Sequence, residues 1–195
     1  NRGIEIKNKT VGIIGYGNTG SAFAKKLSGF DCRIIAYDKY KTDFGNNHVE
    51  EVSLSDIETN ADIISFHIPL TNETKGWINT KWLMKLQKNP VLMNLSRGGI
   101  MMIEDVIVAL KIGRLSHFAS DVLANERLES YNTAESQAFD WLNDQDNVIL
   151  TPHVAGWTNE SYERISMVLA DKIETYINWE TNKAETHNKN RQIVG

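Results

Sequence analysis

The feature that most constrains this chain is a glycine-rich turn between two short apolar runs. Residues 11–14 lead into Gly15-Tyr16-Gly17-Asn18-Thr19-Gly20, a helical pattern follows, and a second run at 33–37 ends at Asp38. Gly15 allows the tight turn, Gly17 lets backbone N–H groups approach a pyrophosphate, and Gly20 lets the helix pack against the sheet. The helix N-terminus adds unpaired N–H donors and the positive end of a dipole. This pattern predicts a dinucleotide-binding βαβ unit.

Asp38 indicates which dinucleotide the chain prefers. A carboxylate at this point can accept hydrogen bonds from both hydroxyl groups of an adenosine ribose, as in NAD. The 2′-phosphate of NADP would meet a like charge, which costs up to about 4 kcal/mol at ~4 Å and an effective dielectric constant of ~20, or roughly a thousandfold in affinity. Lys39 and Lys41 could weaken this preference by pairing with the phosphate. Without the glycine turn, Asp38 would be read as an ordinary surface acid; with the turn, the sequence predicts NAD.

The bulk properties exclude several other classes of protein. A chain of 195 residues fits one soluble domain, and a formal net charge of -4 does not favour nucleic acid or an anionic membrane as partner. No apolar run has membrane-spanning length, and no signal peptide opens the chain. A single cysteine, Cys32, allows no internal disulfide, and no metal site is expected because no histidine has ligand spacing. A reducing cytoplasm fits this composition.

Apolar runs alternate with helical patterns, which is typical of a parallel sheet with helices on both faces. We therefore expect an α/β, doubly wound, Rossmann-type fold with strands at residues 10–15, 33–37, 62–66, 91–95, 117–121 and 148–150. Helices are expected at 18–27, after a capping box of Ser53 and Asp56, at 103–110 and at 159–179. The polar segment 122–147 is expected to be functional or partly helical. These limits predict one domain at 1–180 and a polar tail at 181–195.

Three chemically versatile residues follow predicted strands, at the edge where parallel sheets bind ligands. Arg97 lies beside two glycines and can hold a carboxylate in a bidentate fork, although a lone arginine at a strand end is more often a surface ion-pair partner. His153 follows the last strand; histidine suits proton exchange near neutrality, but taken alone it is as readily structural as catalytic. Glu126, in the preceding loop, can orient that imidazole.

Together these segments resemble one family, the D-isomer-specific 2-hydroxyacid dehydrogenases. The resemblance covers residues 6–179, and its motifs also include His67-Ile68-Pro69-Leu70-Thr71, Glu73-Thr74, Asn94-Leu95-Ser96-Arg97-Gly98-Gly99, Asp121-Val122 and Thr151-Pro152-His153-Val154-Ala155-Gly156. It implies that the catalytic residues are Arg97, Glu126 and His153. The cofactor-binding residues that it implies are Gly15, Gly17, Asn18, Thr19, Gly20, Asp38, His67, Pro69, Thr74, Leu95, Asp121 and Gly156. Among these, Asp121 is expected to contact the nicotinamide carboxamide.

The activity implied by this resemblance is hydride transfer between the nicotinamide of NAD and C2 of a small D-2-hydroxy or 2-keto acid. The resemblance also implies a homodimer through this domain. Two alternatives remain open. The chain could be a non-catalytic NAD-binding module or regulator, which would need none of the three catalytic residues. It could also be part of a related dehydrogenase that acts on formate or phosphonate.

The chain departs from the family pattern in two places. Arg127 follows Glu126 where many members have proline, so the loop could be aimed differently while the carboxylate remains. Family members also carry a second, substrate-binding domain that closes the cleft against water. Here only nine residues precede Thr10 and a polar tail follows Trp179. We therefore expect this chain to be the cofactor-binding half of such an enzyme.

Overall fold

Seven parallel strands form one sheet within residues 3–192, the part of the chain that the computed structural model describes. The strands are β1 Thr10–Ile14, β2 Arg33–Tyr37, β3 Glu50–Glu51, β4 Ile63–Phe66, β5 Val91–Asn94, β6 His117–Ser120 and β7 Val148–Leu150. The helices are α1 Asn18–Leu27, α2 Leu54–Asn60, α3 Thr80–Leu83, α4 Ile103–Lys111, α5 Thr133–Asn143 and α6 Asn159–Gln192. The sheet order is β3-β2-β1-β4-β5-β6-β7, so strand addition reverses direction between β1 and β4. The prediction of a doubly wound α/β fold is confirmed.

The chain divides into two compact units between Ala155 and Gly156. The first unit contains the sheet and helices α1 to α5, and the second contains α6. The boundary that the sequence predicts after residue 180 is a different division. The assignment of one domain to residues 1–180 and a tail to 181–195 therefore stays a prediction.

The two faces of the sheet are covered by separate apolar clusters. Ile13 of β1 belongs to the cluster that includes Ala24 and Leu27 of α1. The next residue, Ile14, belongs to the opposite cluster, which includes Ile57 of α2. Side chains alternate across a strand, so a central strand that is covered on both faces must be apolar throughout. All five residues of β1 are buried, and this strand leads into the glycine turn at the carboxyl edge of the sheet.

Local signals explain the starts of two helices. Ser53 and Asp56 form the predicted capping box at the start of α2. The polar segment 122–147 is partly helical, because α5 begins at a second capping box formed by Asn132 and Glu135. The sequence predicts neither β3 nor α3. In β3, two acidic residues pair with β2 at the sheet edge, and Glu50 forms a 2.7 Å ion pair with Arg33.

The second unit consists mainly of α6. The predicted helix at 159–179 is present, and it continues to Gln192, through most of the segment where the sequence predicts a polar tail. Residues 193–195 of that tail lie outside the described residues. The expected apolar face of α6 is 51% to 66% exposed at its five positions, which are Tyr162, Ile165, Leu169, Ile173 and Ile177. Among the described helices, α6 included, none combines the length and apolar character needed to cross a bilayer.

Candidate cofactor-binding and catalytic site

The glycine turn lies at the carboxyl end of β1, where the strand order reverses and where doubly wound sheets bind ligands. Gly15 has a φ of 95°, and a Cβ there would lie 2.5 Å from the main-chain oxygen of His67. A Cβ on Gly20 would lie 2.0 Å from the main-chain oxygen of Gly15. A Cβ on Gly17, in contrast, would meet nothing within 4 Å. The fold itself requires the first and third glycines, whereas the middle glycine keeps an open space in front of α1.

The N-terminus of α1 presents hydrogen-bond donors at that space. Its N-cap is Gly17, so no side chain caps the helix, and no acidic residue lies in its first turn. Asn18 and Thr19 are exposed there. The free N–H groups and the positive end of the helix dipole suit a phosphate. The residues present therefore fit the pyrophosphate of a dinucleotide.

Asp38 is bound to the glycine turn by main-chain donors. Its Oδ2 accepts the N–H of Tyr16 at 2.7 Å, and its Oδ1 accepts the N–H groups of Tyr40 at 2.8 Å and Lys41 at 3.1 Å. A carboxylate has about four lone-pair sites, so roughly one remains, on Oδ2. In this geometry Asp38 can accept one ribose hydroxyl, rather than the two that the sequence suggests.

Both lysines near Asp38 already have partners. Lys39 Nζ lies 2.7 Å from Oε2 of Glu73, which also accepts the hydroxyl of Tyr40 at 2.5 Å. The hydrogen bonds from Lys39 and Tyr40 lower the pKa of Glu73. Lys41 Nζ donates to the main-chain oxygen of Tyr16 at 3.2 Å. In this arrangement neither lysine is free to pair with a 2′-phosphate, which is consistent with the prediction of NAD.

His67 lies directly beneath the glycine turn. Its main-chain N–H donates to Ile14 at 2.8 Å, its Nε2 is 3.0 Å from the hydroxyl of Ser65, and its ring packs on Phe23 at a centroid distance of 5.2 Å. Burial lowers the pKa of His67 from 6.5 to about 4. The imidazole is therefore neutral near pH 7 and forms an uncharged wall of the cleft.

The loop after β4 is closed by Thr74. The Thr74 hydroxyl donates to the main-chain oxygen of Pro69 at 2.6 Å and accepts the N–H of Thr71 at 2.8 Å. Pro69 and Thr74 thus shape the loop that faces the Asp38 loop across the Glu73 contacts. Whether they also contact the cofactor stays a prediction.

Arg97 follows β5 and is exposed. Its turn is held by the fully buried Asn94, whose Nδ2 donates to the main-chain oxygen of Arg97 at 3.0 Å and whose Oδ1 accepts the N–H of Ser96 at 3.0 Å. The guanidinium donates to the main-chain oxygen of Ser96 at 2.7 Å. Among the described residues it pairs with no carboxylate, so the surface ion-pair interpretation finds no partner there. Leu95, before it, is 41% exposed.

Glu126 and His153 are brought together by the fold. They lie 27 positions apart in sequence, in the loops after β6 and β7, and Oε2 of Glu126 is 2.9 Å from Nδ1 of His153. His153 has a φ of 55°, a left-handed conformation that is uncommon outside glycine and is found at functional sites. A carboxylate on Nδ1 selects the ring tautomer and leaves Nε2 for proton exchange. Asp121, Glu126 and His153 line a cavity of about 290 Å³.

Asp121 anchors the loop that carries His153. Its Oδ1 accepts the Thr151 hydroxyl at 2.5 Å and the Val154 N–H at 2.9 Å, and its Oδ2 accepts the Ala155 N–H at 2.9 Å. Burial acts to raise the pKa of Asp121, but these hydrogen bonds outweigh it and the pKa is lowered. Asp121 is therefore a buried carboxylate that fixes the histidine loop. Its contact with nicotinamide remains a prediction.

The carboxyl edges of three neighbouring strands, β5, β6 and β7, thus carry the three predicted catalytic residues. Only Glu126 and His153 touch; no hydrogen bond or ion pair among the described residues joins Arg97 to either. Gly156 belongs to the second unit, so its role stays a prediction. The role of Asn94 in holding the turn that carries Arg97 was not predicted from the sequence, although an asparagine that accepts a main-chain N–H two residues later is a recognised turn signal.

Comparisons with known proteins identify the family. Residues 1–155 match the profile of the D-isomer specific 2-hydroxyacid dehydrogenase, NAD binding domain. The chain is 35% identical over 180 residues to 2-hydroxyacid dehydrogenase A of Aspergillus oryzae. This alignment covers 90% of this chain and 52% of the relative. It is also 36% identical over 171 residues to the glyoxylate reductase of Thermofilum pendens. That alignment covers 86% of this chain and 48% of the reductase.

Comparison with a solved structure supports the same family. The D-lactate dehydrogenase of Aquifex aeolicus, complexed with NAD and lactic acid, superposes with a TM-score of 0.80 at 28% identity, over 90% of this chain and 55% of that one. The chain thus spans about half the length of the relatives that it matches. The profile match, the glycine turn and the doubly wound sheet lead to one conclusion: this chain belongs to the D-isomer-specific 2-hydroxyacid dehydrogenases and contains their NAD-binding domain.

Proposed function

We propose that this chain is the cofactor-binding part of an NAD-dependent oxidoreductase that acts on a small D-2-hydroxy or 2-keto acid. The observation that carries the proposal is the 2.9 Å contact between Glu126 and His153. A module that only binds NAD needs no carboxylate held against a histidine. The names of the relatives, a glyoxylate reductase and a D-lactate dehydrogenase, support the substrate class.

The proposed chemistry divides among three side chains. Arg97 binds the substrate carboxylate and polarises the neighbouring carbonyl. His153 donates a proton from Nε2 to the C2 oxygen during reduction and accepts it during oxidation. Glu126 holds Nδ1, so that the ring keeps one orientation and one tautomer. The bound cofactor would supply the chemistry at C2, as a hydride donor in its reduced form NADH and as a hydride acceptor in its oxidised form.

We assign the cofactor to the cleft at the reversal point of the sheet. The open space at Gly17 and the uncapped start of α1 suit the pyrophosphate, and the remaining lone-pair site of Asp38 suits one ribose hydroxyl. His67 offers a neutral wall beside them. The other predicted cofactor residues keep the roles that the family resemblance implies.

We further propose that the protein acts in the cytoplasm and forms a homodimer through this domain. Its single cysteine suits a reducing compartment, and the dimer is an implication of the family resemblance. Analytical ultracentrifugation tests the dimer directly: a monomer at micromolar concentration would contradict it.

The decisive experiment mixes the chain with NADH and a panel of small 2-keto acids and follows NADH absorbance, beside a fluorescence titration for NADH binding. We expect His153→Ala to abolish turnover while NADH affinity is kept. His117→Ala, at an exposed histidine on β6, is the matched control and keeps both. NADH binding without turnover by the wild-type chain fits a cofactor-binding domain that needs its substrate-binding part, whereas turnover that persists in His153→Ala would contradict the catalytic role of His153. Activity with formate or phosphonate in place of hydroxy acids would overturn the substrate assignment.

A further inference from the structure

The loop that carries Glu126 is not held by packing alone. One cavity of about 290 Å³ lies on its histidine side, and a second of about 290 Å³ lies toward α4 and α5. Leu123, Tyr131 and Phe139 line both cavities, so they form a thin wall between them. A segment with space on both sides depends on hydrogen bonds for a single shape.

Asn125 supplies those hydrogen bonds. Its Oδ1 accepts the N–H of Arg127 at 3.1 Å, which closes a turn with Glu126 at its centre. Its Nδ2 donates to the hydroxyl of Ser130 at 3.1 Å, and its main-chain oxygen accepts the Tyr131 hydroxyl at 3.0 Å. The half-buried side chain of Asn125 therefore joins Arg127 to Ser130, while its main-chain oxygen holds Tyr131.

Asn125 also joins the loop to a helix. Its Nδ2 lies 3.4 Å and 3.5 Å from the two carboxylate oxygens of Glu135. Glu135 is a member of the capping box of α5, where its Oε2 accepts the N–H of Asn132 at 2.9 Å. The loop is thereby fastened to the first turn of a regular element rather than to another loop.

Arg127 creates the need for this arrangement. Its φ is -102°, and its N–H requires an acceptor. A proline at this position would bring no N–H and would itself fix φ near about -65°. The side chain of Asn125 provides the restraint that the arginine lacks.

We propose that Asn125 is the positioning residue that aims Glu126 at Nδ1 of His153. The inference rests on the proposed function, because it assigns a catalytic purpose to the Glu126–His153 contact. Asn125 touches neither the imidazole nor the reacting atoms; it acts through the backbone of the residue that follows it. Its effect is on the tautomer and orientation of His153, not on the binding of NAD.

Long-range proton–nitrogen NMR of the imidazole tests this in the chain itself, without any need for turnover. At alkaline pH the signals of neutral His153, assigned with His153→Ala, report the ratio of its Nδ1–H and Nε2–H tautomers. We expect Asn125→Ala and Glu126→Ala each to shift that ratio toward Nε2–H by about fivefold, the effect of one hydrogen bond. Asn125→Ser, which keeps an acceptor for the turn, is expected to restore most of the wild-type ratio.

The matched control is Asn143→Ala, at an exposed asparagine that lines the histidine-side cavity, and it should leave the ratio unchanged. If Glu126→Ala shifts the ratio and Asn125→Ala does not, Asn125 is not a positioning residue. If neither shifts it, the Glu126–His153 contact itself is absent in solution, and the proposed function loses its main support. Should Asn125→Ala fail to fold by circular dichroism, Asn125→Gln decides, because its longer side chain moves the amide oxygen away from the N–H of Arg127: a wild-type ratio in this variant would refute the proposal.

Discussion

Gly17→Ala separates the cofactor role of the glycine turn from its structural role. Gly17 has a φ of -78°, which any residue adopts, and a Cβ there would meet nothing within 4 Å. Alanine is a poorer N-cap than glycine by up to about 1 kcal/mol. Alanine also reduces the conformational entropy of the unfolded chain, which stabilises the folded state by about 0.4–1 kcal/mol. We therefore expect the free energy of unfolding to change by less than about 1 kcal/mol.

The same methyl group should greatly weaken NAD binding. It would occupy the space in which a pyrophosphate approaches the backbone, and loss of one charge-assisted hydrogen bond costs about 1.5–3 kcal/mol. That corresponds to a dissociation constant for NADH roughly 10- to 100-fold higher. Fluorescence titration with NADH measures this, and urea denaturation of the same sample measures stability.

Two other glycines serve as references for this prediction. Gly20→Ala places a Cβ 2.0 Å from a main-chain oxygen, so it should destabilise the fold by at least about 1–3 kcal/mol. Gly29→Ala has open space and lies outside the turn, so it should change neither stability nor binding. Wild-type NADH affinity in a well-folded Gly17→Ala variant would refute the placement of the pyrophosphate.

Three further changes test the site. Folding lowers the pKa of His67 from 6.5 to about 4, so its contribution to the free energy of unfolding is complete above pH 6.5 and decreases as the pH falls toward 4, by about 3 kcal/mol in total. Urea denaturation across this range should show the decrease in the wild-type protein and not in His67→Leu. In the wild-type protein, three donors share the two carboxylate oxygens of Asp121, and Asp121→Asn leaves them a single acceptor oxygen. This substitution should therefore destabilise the protein by about 1–3 kcal/mol, measured by urea denaturation. Glu73→Gln frees Lys39, an exposed partner, so the affinity for NADPH relative to NADH should rise by about two- to fivefold in parallel titrations; an unchanged ratio would show that Glu73 has no part in cofactor choice.

Local sequence signals predicted the elements that carry the site. The strands at 33–37 and 148–150 and the helix at 18–27 have the predicted limits, and the capping box of Ser53 and Asp56 begins α2 as expected. These signals succeed because strand alternation, helix periodicity and caps depend on residues within a few positions of one another. The missed strand β3 has no such signal, since two acidic residues become a strand only by pairing with β2.

The contacts within the site were harder to predict from the sequence. The sequence identified Glu126 and His153 as candidates and suggested that the first orients the second, but the 2.9 Å contact exists because β6 and β7 are neighbours in the sheet. The partners of Asp38 and the occupation of Lys39 by Glu73 likewise join segments that are far apart in sequence. No local pattern specifies how many lone-pair sites of a carboxylate are already filled.

The sequence by itself determined the family, the doubly wound fold, NAD as cofactor and the identity of the candidate catalytic residues. The fold and the cofactor follow from the order of strand, glycine turn, helix and acid, whose physical meaning is local, whereas the family and the candidate catalytic residues follow from the resemblance of further motifs along the chain. Only the tertiary structure decided which polar groups are shared. It made Asp121, after β6, the anchor of the histidine loop after β7, because parallel strands joined by crossover segments bring distant loops to one edge of the sheet.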